Sequence, residues 1–184
     1  ATVENAKKAA DMGVDMIVLT GNPGVGVDNK AITKALADLN EAVGDRVILT
    51  AGKMHASGIL SEAGEKILTK EDAETFIEAG ADVLLLPAPG TVPGFTMEHA
   101  AELIKTAHEK GVLAMTTIGT SQEGADEETI RQIALMCKMA GADIHHIGDS
   151  GYMGMALPEN ITAYSVAIRG KRHTYRRMAM SLVR

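Results

Sequence analysis

Two adjacent histidines, His145 and His146, stand in an apolar run and are followed at once by GDSG at residues 148–151. Successive side chains of a strand point to opposite faces, so we expect one imidazole to face the inside or top of a sheet and the other to face a helix layer. This separation disfavours a zinc site built from both rings. The two imidazoles and Asp149 are suited instead to proton transfer, with Asp149 as general base or as the group that orients a histidine. The alternative is a core strand and a tight turn.

A second set of reactive side chains lies in TAGKMH at residues 50–55, directly after another apolar run. Active sites form at the carboxyl ends of parallel strands, where Lys53 is expected to lie. Lys53 can pair with a phosphate or carboxylate or, when desolvated, form a Schiff base. His55 is a possible acid or base in the same turn. The alternative for Lys53 is a solvated surface lysine.

Two turns that follow later apolar runs offer groups for an anion. Glycines let the backbone approach a ligand closely, and hydroxyls donate to anionic oxygens. The two turns would correspond to the loops that commonly hold phosphate in (β/α)8 barrels. A carboxylate at Asp149 would repel a phosphate unless it points away, and hydroxyl-rich turns also occur without ligands. The predicted phosphate-binding residues are Gly119, Thr120, Ser121, Gly148, Ser150 and Gly151.

The glycine-rich turn at residues 20–28 is not a nucleotide loop. Gly21 and Gly26 have the G-x-x-x-x-G spacing, but Val27 and Asp28 stand where Lys and Ser or Thr are required. A dinucleotide fingerprint also fails, because the next run, VILTAGK, has no acid at its end. We predict no cofactor and no metal site. Asn22 is the candidate for orienting a substrate, and a plain turn is the alternative.

Five apolar runs must position these turns. A repeat of ~30 residues is what a β/α unit requires, and continuous runs are typical of parallel strands that are covered on both faces. Thr69 and Thr96 are predicted to cap helices, and a glycine before each run is predicted to end a helix in the left-handed conformation. These glycines are Gly13, Gly44, Gly80, Gly111 and Gly141, and the runs begin at Met16, Val47, Val83, Leu113 and Ile144.

The pattern predicts one α/β domain over residues 1–184. A helical segment at residues 2–12 precedes the first run, and the turns after the runs are long whereas those before them are short. Both features favour the last five units, from the fourth strand to the eighth, of a TIM barrel that lacks its first strands. A five-stranded flavodoxin-like sheet is the alternative. A partial barrel exposes two sheet edges that another chain must cover, so we expect a homo-oligomer.

Composition excludes several classes of function. The 184-residue chain has a net charge of -6 and only five aromatic residues, which argues against binding nucleic acid. No apolar run approaches the ~18 residues of a membrane span. The single cysteine, Cys137, has apolar neighbours at helical spacing and is predicted to be a buried thiol in a reducing compartment, the cytoplasm.

The segment at residues 168–177 holds five of the eighteen Lys and Arg residues. A solvated helix face, a contact with an acidic partner surface and a contact with an anionic ligand are the three interpretations. Gly170 predicts a kink or boundary in this helix.

Three segments resemble a known group of proteins: LTAGKMHA at 49–56, GADIHHIGDSGYMG at 141–154 and PENITAYSVAIRGKRHTYRRMA at 158–179. They resemble an uncharacterised group of bacterial (β/α)8-barrel proteins that is sometimes labelled haloacid-dehalogenase-like. The chain has no Asp-x-Asp-x-Thr/Val motif at a strand end, so the label implies no mechanism. The repeated Gly-Ala-Asp before apolar runs is similar to phosphate-binding barrels of the aldolase and sugar-phosphate isomerase kind.

Together these features predict an enzyme that acts on a small phosphorylated or carboxylated metabolite by acid/base or aldol-type chemistry. Lyase, isomerase and hydrolase remain undistinguished. The alternative is a non-catalytic protein for metabolite binding or assembly. A flavodoxin-like flavin or nucleotide binder is disfavoured because few aromatic side chains are present to stack on a ring.

Overall fold

A computed structural model describes residues 1–56, 59–148 and 156–180 as helices that alternate with five strands. The strands are β1 (Met16–Thr20), β2 (Ile48–Gly52), β3 (Val83–Pro87), β4 (Leu113–Thr117) and β5 (Ile144–His146). The helices are α1 (Val3–Asp11), α2 (Asn29–Val43), α3 (Lys70–Glu78), α4 (Met97–Glu109), α5 (Glu127–Ala140) and α6 (Pro158–Met180). Four strands begin where the apolar runs predict, and β2 begins one residue later.

All five strands are parallel and lie in the order β1-β2-β3-β4-β5. The register places Met16 opposite Ile48, and Thr117 opposite both Pro87 and His146. A flavodoxin-like sheet has the order 2-1-3-4-5, whereas a barrel adds its strands consecutively. The chain therefore folds as five consecutive units of a TIM barrel, and the flavodoxin-like alternative is wrong.

The two faces of the sheet are buried to different degrees. Leu49 and Leu84 are fully buried against the helices, in one cluster with Phe76 of α3. On the inner face Val83 and Leu85 are buried, whereas three other apolar side chains of that face are exposed. These exposed side chains are Val18, Ile48 and Leu113.

Helix ends follow the predicted signals with one exception. Thr69 forms a capping box with Asp72, and the Thr96 hydroxyl accepts from a backbone amide. Of the five glycines predicted to be left-handed, all but Gly44 have positive φ. Gly44 has φ -62°, because the amides of residues 46 and 47 bond to the Val43 carbonyl and continue the helical turn. Gly170, at φ 76°, interrupts α6, which confirms the predicted kink.

The Gly-Ala-Asp repeat has a structural role at the amino ends of the strands. One carboxylate oxygen of Asp82 accepts from the Leu49 amide at 2.8 Å, and Asp143 accepts in the same way from Ala114 at 2.8 Å. Each aspartate thus joins its own strand to the preceding one. The resemblance to phosphate-binding barrels at these residues is therefore a likeness of fold.

Cys137 is buried on α5, as predicted, and burial raises the pKa of its thiol. Within the described parts of the chain, no helix is both long and apolar enough to cross a membrane.

Candidate active site at the carboxyl ends of the strands

Lys53 is the most deeply buried ionisable side chain at the carboxyl edge of the sheet. It follows β2 directly and is 1% exposed, and its Nζ lies 2.5 Å from Oε2 of Glu62. Glu62 is 27% exposed and belongs to a short 3-10 turn in the loop after β2. The predicted lysine is therefore desolvated, as imine chemistry requires, and its ammonium is held by one carboxylate.

The glycine-rich turn after β1 covers Lys53. A Cβ added to Gly21 would stand 3.4 Å from Cγ of Lys53 and 3.1 Å from Cδ1 of Ile32, so glycine lets the chain pass close over the lysine. Asn22, the next residue, closes this turn, since its carbonyl accepts the amides of Val25 and Val27. Asn22 and Lys53 therefore belong to one neighbourhood.

A cavity of about 520 Å³ lies between the loops that follow β2, β3 and β4. Among the described residues its wall is mainly apolar, with polar side chains at His55 and Thr120. Glu62 lies between two lining residues, Leu60 and Ala63, so the carboxylate partner of Lys53 is on a cavity-lining segment. The lining residues are His55, Ala56, Ile59, Leu60, Ala63, Gly64, Val92, Pro93, Gly119 and Thr120.

The turn after β4 uses its polar groups internally. The Thr120 hydroxyl donates to the Thr91 carbonyl at 2.6 Å, and the Gln122 side chain contacts the same hydroxyl. A Cβ on Gly119 would stand 2.8 Å from the Met54 side chain, so glycine permits packing against Met54. Ser121 is exposed and has φ 74°. The structure therefore gives Gly119 and Thr120 internal partners, whereas sequence reasoning gave them a ligand.

His145 and His146 face opposite sides of the sheet, as predicted. Nδ1 of His145 lies 3.0 Å from the Tyr164 hydroxyl on the helix side. Burial lowers the pKa of His145, although the negative charge of Asp143 acts in the opposite direction. Burial also raises the pKa of Tyr164. His145 therefore has a structural partner on the helix side of the sheet.

His146 faces the inside of the sheet and is exposed. Its Nδ1 accepts from the Gly148 amide at 3.1 Å and lies 3.1 Å from the Thr117 hydroxyl. With Nδ1 as the acceptor of the amide, Nε2 is the ring nitrogen that carries a hydrogen. The structure separates His146 from His145 by the thickness of the sheet.

The turn after β5 is described only as far as Gly148. The predictions for Asp149, Ser150 and Gly151 lie outside the described residues. Gly148 packs closely on a buried carboxylate, because a Cβ there would stand 3.3 Å from Cδ of Glu123. Glu123 is 6% exposed, and its Oε2 has no hydrogen-bond partner among the described residues.

Sequence reasoning missed Glu62 and the apolar cavity wall. Glu62 lies nine residues after Lys53, in a loop without helical or strand periodicity, so its only signal was an acid near a lysine. In the parts of the chain that the structure describes, no group of three or more His, Cys, Asp and Glu side chains is placed to hold a metal ion.

The sequence matches one family model over its full length. The model, for residues 1–184, is the domain of unknown function DUF7916. The chain belongs to this family. No curated protein matches the sequence.

Solved structures of phosphate-metabolising barrels resemble this fold. Deoxyribose phosphate aldolase from Aeropyrum pernix, described as a unique tetramer, is 21% identical with a TM-score of 0.63, over 92% of this chain and 67% of the aldolase. 3-Hexulose-6-phosphate synthase is 16% identical with a TM-score of 0.56, over 91% of this chain and 70% of the synthase.

A third similar structure is an archaeal fructose-1,6-bisphosphate aldolase whose catalytic Lys is covalently bound to the carbinolamine intermediate. It is 17% identical with a TM-score of 0.59, and the alignment covers 92% of this chain but 61% of the aldolase. The chain thus spans about three fifths to seven tenths of the length of these three barrels. At such identities the likeness establishes the fold alone. Neither the family model nor these structures support the haloacid-dehalogenase label or a bacterial origin.

Proposed function

We propose that this chain forms part of a TIM-barrel enzyme that acts on a small phosphorylated or carboxylated carbonyl compound by aldol-type chemistry, with Lys53 as the nucleophile. The observation that carries the proposal is a lysine with 1% exposure at the carboxyl end of β2, held by one carboxylate on a cavity-lining segment. The archaeal aldolase with a covalently bound Lys adds support from the same fold. Acid/base chemistry without an imine is the broader form of the proposal.

The Lys53–Glu62 pair supplies the proton transfers of imine formation. Glu62 takes a proton from the ammonium, the neutral amine adds to the carbonyl carbon, and one proton of the attacking nitrogen moves to the carbonyl oxygen. Glu62 then protonates the resulting hydroxyl, which leaves as water, and the C=N bond forms. The iminium accepts the electron pair when the bond between the α and β carbons breaks, which leaves an enamine on Lys53, and His55, on the cavity wall, takes the proton of the hydroxyl that becomes a carbonyl. His55 then returns this proton to the α carbon of the enamine, and water hydrolyses the iminium to release the second product from Lys53.

Binding of the anionic group of the substrate by the turns after β4 and β5 remains a prediction. Ser121 and Gly119 would contact this group from the turn after β4. Gly148, Ser150 and Gly151 would contact it from the turn after β5. His146 would present Nε2–H to the same space. Asn22 would orient the substrate from the turn over Lys53.

Borohydride trapping tests the role of Lys53. The chain is incubated with dihydroxyacetone phosphate or pyruvate and reduced, and the adduct is located by peptide mass spectrometry. We expect a secondary amine on Lys53 that is lost in Lys53→Arg, which keeps the charge facing Glu62. Lys66→Arg, at an exposed lysine of the same loop, is the matched control. An adduct on other lysines, or none with any carbonyl compound, would refute the imine mechanism.

A non-catalytic assembly protein is the second candidate. Two observations favour it: the Lys53–Glu62 pair also closes the loop after β2, and Arg172, Arg176 and Arg177 form an exposed basic surface. In either case we infer that β1 and β5, unpaired on one side among the described residues, are covered by a second copy or by further strands. The buried thiol of Cys137 supports a reducing compartment, which we take to be the cytoplasm.

Light scattering and borohydride trapping together distinguish the two candidates. If assembly is the function, replacing the three arginines by alanine dissociates an oligomer, and Lys53→Arg changes no ligand binding. If the chain is catalytic, the arginine variant retains the borohydride adduct on Lys53.

A further inference from the structure

The cavity beside Lys53 has a wall that does not suit a sugar. Six of the ten lining residues that the structure describes carry apolar side chains, namely Ala56, Ile59, Leu60, Ala63, Val92 and Pro93. The polar side chains among these ten are His55 and Thr120, and the Thr120 hydroxyl already donates to the Thr91 carbonyl. A polyhydroxylated chain placed here would lose hydrogen bonds to water without replacing them, which is unfavourable.

We infer that this cavity binds the aliphatic chain of the substrate, and that the substrate is a 2-oxo acid whose chain of several carbons carries the single hydroxyl group that aldol cleavage requires. The assignment rests on the proposed function, which supplies the carbonyl group for Lys53 and the anionic carboxylate. The cavity itself accounts for the third part of the substrate, its aliphatic chain. Lys53 stands two residues before the lining residue His55, Glu62 stands directly before the lining residue Ala63, and the cavity volume of about 520 Å³ is in the usual range for small-molecule sites.

The position of Leu60 makes the cavity testable without disturbing the core. Leu60 lines the cavity but is 89% exposed, so its side chain lies at the rim and contributes little to burial. A serine there shortens the apolar rim and leaves the fold intact. Leu135, exposed on α5 and outside the cavity lining, provides the matched Leu135→Ser control.

Calorimetric titration of the full chain with acetate, butanoate, hexanoate and octanoate tests the cavity independently of imine formation, since these acids have no ketone. We expect the Kd to fall about fourfold for each added methylene group. Leu60→Ser should weaken octanoate binding several-fold, and Leu135→Ser should leave it unchanged. Val92→Thr, which is similar in shape but adds a hydroxyl, should weaken it as well. With 2-oxo-octanoate, borohydride should then trap Lys53.

Affinity that is independent of chain length, or unchanged by both Leu60→Ser and Val92→Thr, would overturn the inference. Ribose 5-phosphate that binds more tightly than octanoate would overturn it too and would favour a sugar phosphate. Chain-length-dependent binding without any Lys53 adduct would support the aliphatic cavity and refute the imine mechanism, so the two failures are distinguishable.

Discussion

The carboxylates at the amino edge of the sheet have different partners from those at the carboxyl edge. At the amino edge, Asp82 and Asp143 each accept a backbone amide of the preceding strand. At the carboxyl edge, Glu62 holds a buried ammonium, and Glu123 has an oxygen without a partner among the described residues. The carboxyl edge also contains Ser121, the one non-glycine residue with positive φ in the described parts of the chain.

This difference separates stability from chemistry. In TIM barrels the carboxyl edge carries the active site, and residues at the other edge serve stability. Backbone strain and incompletely paired polar groups tend to collect where function requires them. Substitutions at the amino edge should therefore change unfolding alone, whereas those at the carboxyl edge should separate stability from reactivity.

The largest effect is expected for Glu62→Gln. The substitution leaves the ammonium of Lys53 buried without a countercharge, which should lower the free energy of unfolding by about 3–5 kcal/mol. Lys53→Met leaves the partly exposed carboxylate of Glu62 to water and should lower it by about 1 kcal/mol or less. Urea unfolding measures both. Equal losses from the two variants would contradict the burial of the Lys53 ammonium.

At the amino edge, Asp82→Ala should lower the free energy of unfolding by about 1–3 kcal/mol, because the Leu49 amide loses its acceptor. Asp15 is the matched control. It precedes β1 at the corresponding position, but it accepts the Ile48 amide through its backbone carbonyl. Asp15→Ala should therefore change stability by less than about 0.5 kcal/mol. An Asp82→Ala variant that unfolds like Asp15→Ala would contradict the proposed structural role.

His145 should make stability depend on pH. Its folded pKa is lowered by burial, so the unfolded chain binds the proton more strongly, and the folded state loses stability as pH falls through about 6.5. Because the ring is half-buried, solvent screening should keep the loss below about 1 kcal/mol. His145→Gln should flatten the profile between pH 7.5 and 5, measured by thermal unfolding. A profile that His145→Gln leaves unchanged would show that His145 is not the source of the pH dependence.

The smallest effect is expected for Ser121→Gly. Glycine relieves the left-handed conformation but gives the unfolded chain more freedom, so a net gain of about 0.5 kcal/mol is expected. Ser61→Gly, at an exposed serine without positive φ, should give no gain. A loss of stability in Ser121→Gly would mean that the serine side chain makes a contact that compensates for the strain.

The sequence determined the secondary structure and much of the topology. Continuous apolar runs at a spacing near 30 residues located all five strands, and the hydroxyls of Thr69 and Thr96 located helix starts. These signals are local, because strand burial and helix capping depend on neighbouring residues. The placement of Lys53 at a strand end and the opposite directions of His145 and His146 were also predictable, since alternation along a strand fixes them.

Only the tertiary structure decided what those side chains meet. Glu62 reaches Lys53 because an irregular loop folds back over β2, and no periodic pattern encodes that path. The hydroxyl of Thr120 is engaged by Thr91, 29 residues away, and the apolar cavity combines side chains from three loops. Loop contacts depend on packing between segments that are distant in the chain. Residue types alone therefore indicated that the carboxyl edge is reactive, but only the fold showed which side chains contact each other there.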